Sequence, residues 1–204
     1  RDIEDSNTNS LTDFFHHPVL LDPDAAALEE IPELAVSGHP SIKIFLSFKR
    51  FDRNVDDFLR AMRVAAQADS VVLLHCEDAA LMGCCGELVR EAGLNSHRHY
   101  PETRPVVAER IATERAVGFC EISGAATYIV HLSSQAALEV CRAGRARGLP
   151  LYVETRPIYL HLDRSRFDEP DGAKYAGAPP LREQYDRDAL WAGVVDGAVS
   201  TVAT

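Results

Sequence analysis

The chain has 204 residues, 46% of them hydrophobic and 25% charged, with a formal net charge of −10. That is enough chain for a sizeable globular core, and the charge has the wrong sign for a nucleic-acid-binding surface. No run of about 18 apolar residues occurs, which excludes a membrane-spanning helix.

Residues 1–12 are polar, rich in Asp, Asn, Ser and Thr, and read as a loop. Residues 14–21 form a short apolar run that reads as a strand. His16 and His17 within it would point to opposite faces, so they cannot both ligate one metal and read as structural. Asp22-Pro23-Asp24 is a helix-start signal, and apolar residues at helical spacing follow over 25–36, with Pro32 expected to kink or shorten the helix. Residues 41–48 read as a strand with Ile42, Ile44 and Leu46 on one face and Lys43, Phe45 and Ser47 on the other. Asn54 is placed to cap a helix over 55–68, whose apolar face is Val55, Phe58, Leu59, Met62 and Ala66. Residues 70–75 are continuously apolar and end in His75, as suits a parallel strand covered on both sides.

A helix over 78–92 comes next, then a polar loop over 93–101. Its His97 and His99 read as solvated or substrate-adjacent. Residues 104–123 predict a long helix with Glu/Arg pairs on its exposed side. Residues 127–131 repeat the earlier design, an apolar strand ending in a histidine, His131. Ser133 or Ser134 caps the following helix, which Gly148 closes. A strand over 149–154 leads into a long irregular stretch, 156–181, holding four prolines; a loop of that length is usually functional. Asp186 or Asp188 starts a helix through Trp191 and Val195, and 197–204 reads as a last strand.

Six strands, near Phe14, Ile42, Val71, Tyr128, Leu151 and Val199, alternate with helices, which indicates a parallel α/β fold. A (β/α)₈ barrel and a doubly wound sheet both fit. No G-x-G-x-x-G or G-x-x-x-x-G-K-[ST] follows a strand, which argues against nucleotide binding. The five cysteines (Cys76, Cys84, Cys85, Cys120, Cys141) lack a CxxC spacing and read as reduced thiols of a cytoplasmic protein.

Lys43 is one of only three lysines. A charged amine inside an apolar strand is costly to bury, and desolvation leaves it neutral and nucleophilic. A neutral amine can take up carbon dioxide to form a carbamate, an anion able to bridge two metal ions. The plainer alternative is a lysine whose stem packs while its head reaches water. One histidine at a strand end is unremarkable. His75 and His131 at two strand ends, beside a lysine within a third strand, make a constellation at the carboxyl end of the sheet, where a barrel builds its active site. Neutral imidazoles are the usual ligands of zinc and related metals.

With these residues in hand, the chain resembles the cyclic-amide branch of the amidohydrolase superfamily: dihydropyrimidinase, hydantoinase, allantoinase and dihydroorotase. The likeness rests on Ser41-Ile42-Lys43-Ile44-Phe45, Leu73-Leu74-His75-Cys76-Glu77-Asp78, Tyr128-Ile129-Val130-His131-Leu132-Ser133-Ser134, Val153-Glu154-Thr155-Arg156-Pro157-Ile158-Tyr159-Leu160 and Pro179-Pro180-Leu181-Arg182, in order along nearly the whole chain. It is nearest to dihydropyrimidinase and hydantoinase. It implies a single TIM (β/α)₈ barrel domain, of which residues 1–204 would be the central part, strands three to eight. The family's H-x-H pair would lie before Arg1 and its catalytic aspartate just after Thr204; a first residue other than Met and an uncapped last strand also read as a fragment. It further implies a centre of two divalent ions, usually zinc, with Lys43 as the carboxylated bridging lysine and His75 and His131 as ligands. The implied chemistry is attack of a metal-bridging hydroxide on the C–N bond of a small cyclic amide, in a homotetramer or dimer.

Two substrate positions depart from the family pattern: Phe48 stands where many hydantoinases carry an oxyanion-stabilising tyrosine, and Ala178 where they carry a ring-contacting serine. The alternatives are an allantoinase- or dihydroorotase-type hydrolase, or a non-catalytic dihydropyrimidinase-related scaffold. The scaffold would be expected to have lost Lys43, His75 and His131.

Overall fold

The computed structural model describes residues 2–12 and 14–203. Arg1 and Thr204, which end the first loop and the last strand expected from the sequence, lie outside them. In chain order the elements are α1 (Asp2–Asn9), α2 (Ala25–Val36), β1 (Ser41–Phe45), α3 (Lys49–Arg53), α4 (Val55–Gln67), β2 (Val71–His75), α5 (Ala79–Glu91), α6 (Tyr100–Thr103), α7 (Val106–Ser123), β3 (Thr127–Ile129), α8 (Gln135–Ala146), β4 (Leu151–Thr155), α9 (Pro157–His161), α10 (Gln184–Val195) and β5 (Thr201–Val202). Short 3₁₀ turns occupy His97–His99, Arg164–Asp168 and Gly172–Tyr175.

The strands are parallel and lie in the order β1-β2-β3-β4-β5. That order separates the two architectures left open by the sequence. A doubly wound sheet reverses its strand order at a switch point; a barrel adds each strand beside the last. Here the winding is the barrel's. Register places Lys43 beside Leu73, Leu73 beside Tyr128 and Tyr128 beside Tyr152, with Phe45 opposite His75. These residues therefore share the inner face.

The outer strand face carries Ile42, Ile44, Val72, Leu74, Ile129 and Val153, all buried against Phe58, Met62, Ala65, Ala112, Ala116, Leu138 and Cys141 of the helices. Each large apolar side chain so covered contributes roughly 1.5–3 kcal/mol. Alanines and a glycine let the helices approach closely: a methyl added at Gly144 on α8 would collide with Leu151. Caps follow the sequence at α2 and α8, and Asp78 caps α5. Asp24 accepts from the Ala27 N–H, Asp78 from those of Ala80 and Leu81, and Ser134 from that of Ala137.

Several expectations change. The stretch 2–9 is helical, with Thr8 and Asn9 side chains donating to the Glu4 and Asp5 carbonyls one turn back. The strand expected over 14–21 reduces to one bridge between Val19 and Lys43, made by Lys43 N–H to Pro18 O and Leu20 N–H to Lys43 O. Asn54 makes no side-chain cap, and α3 fills the turn before it. Glu109 is not on the exposed side of α7; it is buried.

Candidate metal centre

β1 carries Lys43 onto the inner face, and β2 ends in His75 on the same face. His75 is 4% exposed. Its Nδ1 lies 3.0 Å from Nε2 of His131, which follows β3. The other nitrogen of His75, Nε2, donates to Glu77 Oε2 at 2.8 Å. Glu77 has no exposed surface. It is held in turn by Arg104, whose Nε donates to Oε1 at 3.0 Å and whose Nη2 donates to Oε2. Burial pushes the Glu77 carboxyl up, but the hydrogen bonds from His75 and Arg104 outweigh it and hold it below its ordinary range. The carboxylate is therefore charged, His75 must carry its proton on Nε2, and Nδ1 presents a lone pair.

Burial also keeps both imidazoles neutral. His75 is lowered by burial despite Glu77. His131 is pushed down to about 2, by burial first, then by His75 and Lys43. Lys43 is lowered to about 8, again by burial first, so roughly a tenth of it is uncharged at neutral pH. Lys43 itself is partly exposed, with its Nζ 4.9 Å from the centre of the Phe45 ring.

The donor set fits a divalent cation. A lone pair on His75 Nδ1 faces a second neutral imidazole, and His131 Nδ1 is buried with no hydrogen-bond partner. Among the described residues no three His, Cys, Asp or Glu side chains form a metal-sized group.

The remaining positions singled out in the sequence fall into two groups. Phe48 stacks on Phe45 at 4.9 Å between ring centroids, and Phe45 lies 5.3 Å from the His75 ring, so Phe48 is one ring removed from His75. Ala178 is exposed, on a segment fixed by Tyr100 Oη donating to Gly177 O at 3.0 Å and Tyr159 Oη donating to Pro179 O at 2.6 Å. His97 donates to Glu169 O and pins the 164–175 segment; His17 is bonded to Ser41 at the start of β1. Both serve structural contacts. Glu77 and Arg104 are the site residues that the sequence left without a role. A carboxylate two residues beyond a strand-end histidine was the available signal for Glu77; nothing local pointed to Arg104, 27 positions further on.

The solved D-hydantoinase (dihydropyrimidinase) from Thermus sp. superposes on the entire chain with a TM-score of 0.92 at 31% identity. The chain folds as part of a hydantoinase-type (β/α)₈ barrel. Dihydropyrimidinase from Brevibacillus agri NCHU1002 covers 94% of it with a TM-score of 0.88 at 30% identity. In sequence, D-phenylhydantoinase of Escherichia coli O9:H4 (strain HS) is 37% identical over 197 residues, 96% of this chain. The chain spans 42% of that relative's length and 45% of the Thermus protein's, and so holds only part of the barrel. No family model matches.

Proposed function

We propose that the complete protein hydrolyses a C–N bond of a small cyclic amide, such as a hydantoin or dihydropyrimidine, at a centre of two divalent metal ions, zinc being the ion best suited to these ligands. The observation that carries this reading is the convergence of His75 Nδ1 and His131 Nε2 at 3.0 Å beside a lysine of lowered pKa. The relatives' names support the reaction class. Lys43, His75 and His131 would hold the ions. Bound divalent ions polarise an amide carbonyl and acidify a coordinated water.

The chain's own residues do the rest. Glu77 fixes the His75 tautomer. The neutral fraction of Lys43 adds to carbon dioxide through its nitrogen lone pair; the amine loses one proton and becomes a carbamate, an oxygen donor of opposite charge. That change removes a cation that otherwise opposes metal binding between two imidazoles. The stacked Phe45 and Phe48 rings offer an apolar wall to a flat substrate ring. Phe48 has no hydroxyl to donate to a developing oxyanion, a loss that typically costs about 3–4 kcal/mol of transition-state stabilisation. Either the substrate differs from that of a tyrosine-bearing hydantoinase, or another group donates, or the activity is weak. The five cysteines are all free, which supports a cytoplasmic protein, and the family likeness supports a homotetramer or dimer.

The test is metal content and intact mass of the full-length protein purified in bicarbonate, followed by hydantoins, dihydropyrimidines, allantoin and dihydroorotate as substrates. About two ions per chain, a carbon dioxide adduct that Lys43→Ala removes, and turnover of one of these amides are expected. A metal-free protein with unmodified Lys43 would turn the reading to a non-catalytic scaffold, with Phe48 and Ala178 as remnants of a lost site.

A further inference from the structure

His131 stands on the wrong face for a metal ligand if its strand is followed regularly. Side chains alternate along β3: Tyr128 is inward, in register with Leu73 and Tyr152, while Thr127 and Ile129 face the helices. Continued alternation would send residue 131 outward with Thr127 and Ile129. Yet its ring meets the inward-facing His75. The change of face is made at His131 itself, whose φ is 42°, a left-handed backbone that histidine adopts uncommonly.

β4 supplies what holds it there. The last β2–β3 rung is Val130 N–H to Leu74 O at 3.2 Å. The next amide, His131 N–H, leaves the ladder and donates to Glu154 Oε1 at 3.0 Å. Leu132 N–H donates to the Glu154 main-chain carbonyl at 2.7 Å, and Thr155 Oγ1 donates to Leu132 O at 2.8 Å. The second carboxylate oxygen, Oε2, accepts from Tyr128 Oη at 3.1 Å. Glu154 thus receives the one backbone donor released by the kink, and Tyr128 fixes the rotamer with which it does so.

We propose that Glu154 is a positioning residue: its carboxylate captures the His131 amide, stabilises the left-handed turn and thereby aims the imidazole at His75. This rests on the metal-centre reading of His75 and His131. The test is cobalt(II) titration of the metal-stripped full-length protein, reading affinity and the ligand-field absorption band. Glu154→Gln keeps an oxygen for His131 N–H and an N–H for the Tyr128 oxygen, so it should bind cobalt like the wild type. Glu154→Ala removes the acceptor and should weaken binding about tenfold or more, the usual effect of losing an outer-shell partner, with a shifted band.

Wild-type affinity and band in Glu154→Ala would overturn the proposal, and so would Glu154→Gln binding as weakly as Glu154→Ala. If Glu154→Ala does not fold, Tyr128→Phe decides: weaker binding by a few-fold supports the clamp, and unchanged binding overturns it. Wild-type protein that binds no cobalt would bring down the metal-centre reading and this proposal together, an outcome distinct from a failure of the variants alone.

Discussion

Glu77 has no exposed surface, whereas the Arg104 side chain keeps 21% of its area in contact with water. That asymmetry decides what happens when either is removed. In Arg104→Met the carboxylate stays ionised or takes up a proton inside the protein, with His75 as its remaining hydrogen-bond partner. In Glu77→Leu the guanidinium sits on a flexible stem and can turn outward. Breaking a buried pair by deleting one partner costs roughly 3–5 kcal/mol. Arg104→Met should fall near the top of that range and Glu77→Leu clearly below it, read as unfolding free energies in urea for the full-length variants. The opposite order would mean that the charge on Glu77 is not what Arg104 compensates. A double variant should cost less than the sum, because the two side chains share one interaction.

Between β4 and α10 the chain makes a long excursion, and two carboxylates pin it. Arg164 donates to Glu102 on α6 at 2.7 Å, and Arg187 on α10 donates to Asp163 at 2.9 Å. For Glu102, burial works against the charged form, but the Arg164 hydrogen bond, a backbone hydrogen bond and the charge of Arg164 together outweigh it and hold the carboxyl below its ordinary 4.5. Asp163 is held below its ordinary 3.8, by the Ser165 hydroxyl first and then against burial. A depressed folded pKa contributes stability that is complete above the ordinary value and disappears as pH falls through the folded one. Amide exchange over residues 163–175 should therefore accelerate selectively as pH drops below 4.5, after correction for the intrinsic pH dependence, while β1 and β2 stay protected. Equal loosening of strands and loop would show that these two pairs do not govern the segment.

Alternation of apolar runs marked β1, β2, β3 and β4 and the helices between them, since periodicity is local. The 14–21 run is as apolar as a strand, yet its pairing is confined to Val19. Asp, Asn, Ser and Thr compete for backbone hydrogen bonds, so the helix over Asp2–Asn9 is hidden by composition. Lys43 and His75 could be placed because both lie on the regular inner face. The position of His131 depends on one left-handed residue and on Glu154, 23 positions later, and no alternation pattern encodes that.

The inner face of the sheet is where the chain leaves most undone. Tyr152 is 46% exposed, and Phe15 is also 46% exposed near the start of β1. The edges are raw as well: β1 has one bridge beyond it, and β5 is only Thr201–Val202. The chain corresponds to under half of the length of the solved relatives. Covering a large apolar side chain is worth roughly 1.5–3 kcal/mol, and a domain's net stability is only about 5–15 kcal/mol. Leaving these two residues uncovered forfeits about 3–6 kcal/mol, a large share of that total. The open strands would also template pairing with other copies, and a net charge of −10 opposes association only through long-range repulsion that salt screens. Residues 1–204 produced alone should therefore form salt-promoted oligomers, bind a hydrophobic dye and unfold without a cooperative transition. Light scattering and calorimetry in low and moderate salt check this. A monodisperse monomer with a sharp thermal transition would mean that the outer-face core alone sustains the fold.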